Sequence, residues 1–170
     1  MILNLRALEN LPARVTLTAD AGQLQVEGVG FAAVGTITAD FDVVPGDHAY
    51  YCHGKVVSEA RLECSRCLEP FMVTLCGEID FSVQEVVDEA AVRRDDVPDN
   101  ELLVPAGVSE IDISGPVREA LLLEIPLKPL CREDCRGLCP ICGVDHNKET
   151  CECKVEKTDP RWDALRDLLK

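Results

Sequence analysis

The chain has 170 residues, of which 46% are hydrophobic and 28% charged, and its formal net charge is −14 at pH 7. This is enough for one domain with a buried core and a small appendage. No run approaches the roughly 20 apolar residues of a membrane span, and the N-terminus lacks the basic-then-apolar order of a secretion signal, so we expect a cytoplasmic protein.

The negative charge lies in residues 1–127, which hold 22 Asp and Glu against 8 Lys and Arg, whereas residues 128–170 hold 9 of each. Such an acidic body repels a phosphate backbone and attracts basic proteins.

The N-terminal half carries the alternation of apolar and polar side chains that is typical of antiparallel strands. Residues 14–27 predict a hairpin that turns at Ala21-Gly22, and strands are predicted over residues 35–43 and 49–63. The clearest alternation puts seven residues on one face: Phe71, Val73, Leu75, Gly77, Ile79, Phe81 and Val83. Polar residues dominate the other face, so we expect an antiparallel sheet or a partly open barrel with one wet surface.

The predicted helices come after these strands. Residues 84–107 hold seven acidic residues without a sustained period, which indicates a mobile acidic loop, with a short helix near residues 86–91 as an alternative. A short strand at residues 110–113 leads into a helix over residues 116–125, which should cover the sheet, and a terminal helix is predicted over residues 160–169. The fold class is therefore α+β, with a β-rich domain over residues 1–127 and a cysteine-rich extension over residues 128–170.

Six of the ten cysteines lie within residues 131–153. The core Cys139-Pro-Ile-Cys142-Gly143 has the form of a zinc knuckle, in which backbone N–H groups point at two thiolates. Without an export signal the thiols should be reduced, which favours metal binding or redox chemistry over disulfides. Four cysteines form a local set with spacing suited to one structural Zn²⁺: Cys139, Cys142, Cys151 and Cys153.

A second C-x2-C, Cys64 to Cys67, lies at a predicted hairpin tip. One pair cannot fill the four positions of zinc, and Cys131 and Cys135 are left over from the C-terminal cluster. These four cysteines predict a second zinc site that would tie the tail to the sheet. Two alternatives stay open: a single site drawn from the six C-terminal cysteines, and a redox-active Cys64/Cys67 pair.

Other reactive residues are few. Cys52 and Cys76 fall on predicted strands and are expected to be ordinary buried hydrophobes. Among the three histidines, His146 lies inside the cysteine loop and is a candidate spare ligand. No phosphate-binding glycine loop, nucleophile elbow or paired-acid motif occurs, and an all-cysteine set indicates a closed structural site. We therefore expect a protein that is not an enzyme and binds no small-molecule substrate.

Any nucleic-acid contact should use the C-terminal part, where basic side chains are interleaved with the cysteines. The candidates are Arg132, Arg136 and Lys148. The alternative is a solvated surface of mixed charge, and each four-thiolate zinc centre would add negative charge to it.

Several motifs occur together and in a recognisable order: Cys64-Ser-Arg-Cys67-Leu68, Glu110-Ile-Asp-Ile113, the helix from Val117 to Pro126, the run from Cys131 to Gly143, and Asp159-Pro-Arg-Trp162. Over residues 62–170 the chain resembles the YceD family, the large ribosomal RNA subunit accumulation proteins. It departs from many of them in having Asp145-His146-Asn147 where they have Asn-Leu-Asn, and some of them lack the C-terminal cysteines.

The resemblance implies a role in accumulation of 23S ribosomal RNA and in large-subunit biogenesis. The implied partner is ribosomal RNA or a large-subunit ribosomal protein. Two other functions are weighed against it: a zinc-stabilised adaptor or chaperone for a basic protein, for which the acidic body would be the working surface, and a cysteine-based redox switch.

Overall fold

The computed structural model describes residues 1–5, 8, 11–86 and 100–154. This part of the chain contains eight strands and two helices. The strands are β1 (Ile2–Asn4), β2 (Ala13–Asp20), β3 (Glu27–Gly28), β4 (Phe31–Gly46), β5 (Ala49–Glu63), β6 (Pro70–Val86), β7 (Glu101–Pro105) and β8 (Glu110–Asp112). The helices are α1 (Ala21–Leu24) and α2 (Ser114–Leu123).

The main sheet has the strand order β2-β4-β5-β6-β7, and β3 pairs with β4 off this path. The three long strands β4, β5 and β6 form successive antiparallel hairpins, whereas β7 pairs parallel with β6. β1 and β8 form a separate two-stranded antiparallel sheet. In the described residues the order ends at β2 and β7, so the main sheet is open and mostly antiparallel rather than a barrel.

The core lies on one face of this sheet because the long strands alternate between buried and exposed side chains. Phe41 and Phe81 are among its largest fully buried residues, with ring centroids 6.1 Å apart. Each such side chain stabilises the fold by about 1.5–3 kcal/mol when it is fully buried. The other face carries exposed residues, among them Tyr51, Val57 and Met72.

Helix α2 packs on the core face of the sheet against β6. A Cβ atom added at Gly77 would lie only 2.4 Å from the carbonyl oxygen of Ala120, so the glycine is what permits this close approach. Val117, Ala120 and Leu121 are the buried residues of α2. The helix was predicted over residues 116–125 but begins at Ser114, where the Ser114 N–H donates to Asp112 Oδ1 at 2.9 Å. None of the described helices is long and apolar enough to cross a membrane.

Three expectations need correction. Residues 21–27 do not return as the second strand of a hairpin, because Asp20 caps helix α1 and Gln25 takes a left-handed conformation (φ 51°), and β2 pairs with β4 instead. The region from 84 to 107 is not all loop, since β7 occupies Glu101–Pro105. Cys76 was expected to be buried but is exposed, because Gly77 occupies the core-facing position of β6 and the Cys76 side chain lies on the opposite face. Cys52 is buried, as predicted.

Two predicted segments fall largely or wholly outside the described residues. They are the central part of the acidic loop, at residues 87–99, and the terminal helix at residues 160–169.

Candidate metal centres

The first cysteine cluster, which we call centre 1, joins the β5–β6 connection to the tail. Its residues are Cys64, Cys67, Cys131 and Cys135, and their Sγ atoms all lie within 4.8 Å of one another. The sulfurs of Cys64 and Cys135 are 3.8 Å apart, and those of Cys67 and Cys131 are 3.7 Å apart. Four sulfurs arranged tetrahedrally about 2.3 Å from a zinc ion would be separated by about 3.8 Å. The observed geometry therefore suits one four-coordinate ion.

A tight turn places the two sulfurs of the hairpin. The Leu68 N–H donates to the Cys64 carbonyl at 2.9 Å, and the Cys64 N–H donates to the Glu69 carbonyl at 3.0 Å. Leu68 takes a left-handed conformation (φ 61°) that closes this turn. Cys64 and Cys67 are thereby both buried and directed at the tail cysteines.

The tail is held against this turn by hydrogen bonds on both sides of centre 1. The Ser65 N–H donates to the Pro129 carbonyl at 2.8 Å, and the Leu138 N–H donates to the Arg66 carbonyl at 3.0 Å. The Arg66 guanidinium donates to the Cys135 carbonyl at 2.7 Å. Cysteines more than 60 residues apart in the chain are thus brought together by main-chain contacts as well as by their sulfurs.

The second cluster, which we call centre 2, is local. Its residues are Cys139, Cys142, Cys151 and Cys153, whose Sγ atoms also lie within 4.8 Å of one another. The Gly143 N–H donates to the Cys139 carbonyl at 2.9 Å, and Gly143 has a φ of 75°, which closes the knuckle turn. Cys139 is buried and Cys142 is exposed, so centre 2 lies nearer the surface than centre 1.

The first cysteine of each C-x2-C has an environment that favours its thiolate. Burial raises the pKa of Cys64, but the backbone N–H groups of Cys131, Cys67 and Arg66 outweigh it and lower that pKa to about 6. The backbone N–H groups of Cys142 and Ile141 lower the pKa of Cys139 to about 6 against the effect of burial. N–H donors aimed at sulfur are what a thiolate ligand requires.

One tail thiol in each cluster has its pKa shifted the other way. Burial and the neighbouring thiols raise the pKa of Cys131 to about 12, and the Cys142 side chain and burial raise the pKa of Cys153 to about 12. Four thiolates in contact repel one another, so the fully ionised set needs a cation among the sulfurs. Each cluster could therefore hold a metal ion.

The structure places the three candidate RNA-binding residues on the outside of these centres. Arg132 pairs with Asp134 at 3.5 Å, and Lys148 pairs with Glu69 and Asp145. Arg136 lines an open cleft together with His146 and Lys148. Among the described residues, neither candidate metal group includes His146, which was predicted as a spare ligand. Its backbone N–H donates to the Gly137 carbonyl at 2.9 Å.

The sequence analysis noted Asp145 and Asn147 but assigned no role to these polar residues, which lie between the two centres. Asn147 donates to the sulfur of Cys135 at 3.4 Å, and Asp145 accepts from both the backbone and the side chain of Asn147. The Asp-x-Asn spacing is a turn signal that could have pointed to them.

The fold and the two clusters define a class: an open, mostly antiparallel β-sheet protein whose tail docks on a hairpin through one four-cysteine set and carries a second, local set, each able to hold a metal ion. The chain belongs to the YceD family, because the family model described as "Large ribosomal RNA subunit accumulation protein YceD" matches residues 52–169.

Curated relatives support this membership. The chain is 33% identical to an uncharacterized protein of Mycobacterium tuberculosis over 116 residues, which are 68% of this chain and 54% of the relative. It is 33% identical to the large ribosomal RNA subunit accumulation protein YceD of Haemophilus influenzae, over 61% of this chain and 49% of that protein.

A chloroplastic relative of Arabidopsis thaliana, the large ribosomal RNA subunit accumulation protein YCED homolog 1, is 37% identical over 41% of this chain and 22% of its own length. The chain spans about half the length of the mycobacterial relatives it matches. No solved structure matches it.

Proposed function

We propose that this protein is a non-enzymatic factor that supports accumulation of 23S ribosomal RNA and assembly of the large ribosomal subunit. The observation that carries the proposal is the family match over residues 52–169, which includes every cysteine of both centres. Relatives from a bacterium and from a chloroplast bear the name large ribosomal RNA subunit accumulation protein.

The proposal includes one structural Zn²⁺ in each centre. Two sets of four thiols, with sulfur separations near 3.8 Å in centre 1, match the donor type and spacing that zinc takes in closed structural sites. A bound ion would supply a crosslink between its four sulfurs. Because the four thiolates fill every position of a tetrahedral ion, no ligand position is left for a substrate, which supports a non-enzymatic role.

Contact with RNA is proposed for the outer side of the tail, through Arg132, Arg136 and Lys148. The ion pairs of Arg132 and Lys148 are solvent-exposed, and such pairs are worth about 0–1 kcal/mol, so a phosphate can replace the carboxylate at little cost. Arg136 reaches the same cleft as Lys148. The rest of the body is acidic and would stay away from the phosphate backbone.

Ribosome profiles of a deletion strain test the proposal. We expect loss of the gene to lower 23S RNA and 50S particles relative to 16S RNA and 30S particles, most clearly in the cold. A copy carrying Cys64→Ser and Cys67→Ser should restore the ratio less well than the unchanged gene, because the tail would lose its attachment to the sheet. An unchanged ratio of 50S to 30S particles in the deletion strain would contradict the assembly role.

Reversing charge tests the proposed RNA surface separately. Replacing Arg132, Arg136 and Lys148 by Glu should weaken binding to ribosomal RNA and flatten the dependence of log K on log salt by about one for each lost phosphate contact. Replacing Arg14, Lys55 and Arg61 by Glu, on the exposed face of the sheet, reverses the same number of charges; it is the matched control and should change the slope little. Equal effects of the tail and sheet variants would rule out a specific role for the tail.

A second candidate function is an adaptor for a basic protein, and it is favoured by the charge on the exposed sheet face. Acids outnumber bases there, as shown by Asp40, Asp42, Glu59, Glu78 and Asp80 against Arg14, Lys55 and Arg61. Affinity capture from lysate with and without ribonuclease separates the two functions. Ribosomal proteins retained after digestion support the adaptor, and their loss supports RNA contact.

A further inference from the structure

The loop of centre 2 contributes a hydrogen bond to centre 1. Asn147 lies between Cys142 and Cys151, which are both ligand candidates of centre 2, yet its Nδ2 atom donates to the sulfur of Cys135 at 3.4 Å. Cys135 is buried and belongs to centre 1. The two centres are therefore connected through one side chain as well as through the three residues of chain between Cys135 and Cys139.

The amide of Asn147 is fixed at both ends. Its Oδ1 atom accepts from the Arg136 N–H at 2.9 Å, so its NH₂ group must face the other way, towards Cys135 and Asp145. Asp145 Oδ1 accepts from this NH₂ group at 2.7 Å and from the Asn147 backbone N–H at 2.9 Å. The donor to Cys135 is thus held in place by the loop itself.

The loop that carries Asn147 is bounded on both sides by cysteines of centre 2, Cys142 and Cys151. The Cys139 N–H donates to the Val144 carbonyl at 2.8 Å, and the Lys148 N–H donates to the Asp145 carbonyl at 2.9 Å. The first contact joins a ligand candidate, Cys139, to the start of the loop, and the second closes the turn that contains Asn147. An ion that joined the four sulfurs of centre 2 would close the loop and fix Asn147.

We infer that Asn147 couples the two centres, so that centre 1 holds a metal ion more tightly when centre 2 is loaded. The physical reason is that a four-thiolate site carries excess negative charge, and an N–H donor to one sulfur offsets part of it only when that donor is already in place. The inference rests on the proposed zinc centres. Asn147 acts as a positioning residue, since it would orient and stabilise a ligand without binding the ion.

Cysteine protection measures the affinity of each centre separately. The full-length chain is equilibrated at a series of free Zn²⁺ concentrations set by a chelator buffer, pulsed with iodoacetamide, and digested for mass spectrometry of the cysteine peptides. The free Zn²⁺ concentration at which Cys64, Cys67, Cys131 and Cys135 become half protected reports centre 1. The same value for Cys139, Cys142, Cys151 and Cys153 reports centre 2.

Four proteins form the test: the unchanged chain, Asn147→Asp, Cys142→Ser with Cys153→Ser, and all three substitutions together. Asn147→Asp keeps the size of the side chain and the acceptor for the Arg136 N–H, removes the donor to Cys135 and places a carboxylate charge beside its sulfur. Glu149→Gln, an exposed change in the same loop, is the control and should leave both midpoints in place.

We expect Asn147→Asp to raise the midpoint of centre 1 by about 10–100-fold, the usual effect of losing an outer-shell partner of a metal ligand. Opening centre 2, that is, removing two of its ligands with Cys142→Ser and Cys153→Ser, should raise the midpoint of centre 1 by a similar factor when Asn147 is present. When Asp replaces Asn147, opening centre 2 should raise that midpoint by less than about threefold. Because coupling is reciprocal, opening centre 1 with Cys64→Ser and Cys67→Ser should weaken centre 2 in the chain with Asn147.

Two outcomes overturn the inference in different ways. If opening centre 2 leaves the midpoint of centre 1 unchanged, or shifts it equally with Asn147 and with Asp, the centres bind zinc but are not coupled through this residue. If none of the eight cysteines is protected at any Zn²⁺ concentration, the zinc centres themselves are wrong and the coupling falls with them.

Discussion

At the scale of single residues, Gly137 lies where the tail passes close to the main chain of the hairpin. It has a φ of 73°, and a Cβ atom there would lie 2.8 Å from the carbonyl oxygen of Arg66. Because that carbonyl accepts from the Leu138 N–H, it cannot move without breaking a tail contact.

We expect Gly137→Ala to loosen the tail and to accelerate loss of zinc to a chelator. The matched control is Gly143→Ala, which has nearly the same φ of 75° but no atom within 4 Å of the added Cβ. Both variants carry the strain of a left-handed alanine, about 1–2 kcal/mol, whereas only Gly137→Ala adds the clash. Equal rates of zinc loss from the two variants would show that the contact with Arg66 does not matter.

Asp112 gives a pH-dependent prediction at the same scale. Its carboxylate accepts from Ser114, which lowers its pKa below the ordinary value of 3.8. A pKa that is lower in the folded state means that the carboxylate stabilises the fold above the unfolded pKa and loses this effect as the pH falls through the folded pKa.

We therefore expect Asp112→Ala to reduce stability at pH 7 by about 0.5–1 kcal/mol, the lower range for a lost hydrogen bond, because the carboxylate is largely exposed to water. The difference from the unchanged protein should shrink below about pH 4. Urea unfolding at pH 7 and pH 3 measures it, and a difference that stays constant between these pH values would contradict the assigned role of the charge.

At the scale of elements, the contact between α2 and β6 depends on the absence of a side chain at Gly77. Alanine there would place its Cβ 2.4 Å from the Ala120 carbonyl oxygen and 3.3 Å from Val56 Cγ1. The helix would have to move away from the sheet, and overpacking of this kind costs about 1–3 kcal/mol.

Thermal unfolding of Gly77→Ala should accordingly show a melting temperature lower by several degrees, since 1 kcal/mol corresponds to about 2–4 °C for a chain of this size. Gly115→Ala is the control, because that residue of α2 has open space around its Cβ position and should change stability by no more than about 0.5 kcal/mol. Similar melting temperatures for the two variants would mean that α2 does not press on β6 as described.

At the scale of the whole molecule, the sheet and the tail are stabilised by different means. The main buried cluster combines the sheet with α2 and contains one of the ten cysteines, Cys52. A separate small cluster holds Cys64, Cys67 and Cys135, with Phe71, Leu130 and Leu138 packed against it. The sheet has a core of its own, whereas the tail has few buried apolar contacts and depends on its cysteines.

Removing metal should therefore release the tail and leave the sheet folded. After treatment with a chelator, we expect the far-ultraviolet circular dichroism of the strands to persist and trypsin to cleave faster at Arg132, Arg136 and Lys148. Structural zinc contributes about 10–16 kcal/mol to small zinc modules, so the change in the tail should be large. Loss of the strand signal together with the tail would show that the two parts unfold as one unit.

The sequence alone determined what depends on near neighbours in the chain. The period-2 alternation predicted the long strands and the buried face of β6, because each strand must turn one row of side chains to the core. The C-x2-C spacing and the glycine after it predicted the turn around Cys139 and Cys142, because a knuckle turn is built within a few residues. The grouping of Cys151 and Cys153 with them is local for the same reason.

Only the tertiary structure decided what depends on residues that are distant in the chain. The sequence left three hypotheses open for Cys64 and Cys67: a zinc site shared with the tail, no part in a metal site, or a redox-active pair. The docking of residues 129–138 on the hairpin brings Cys131 and Cys135 to them. The parallel pairing of β7 with β6 and the reach of Asn147 to Cys135 likewise have no local signal. Such contacts follow from how whole elements pack, and spacing along the chain does not specify that packing.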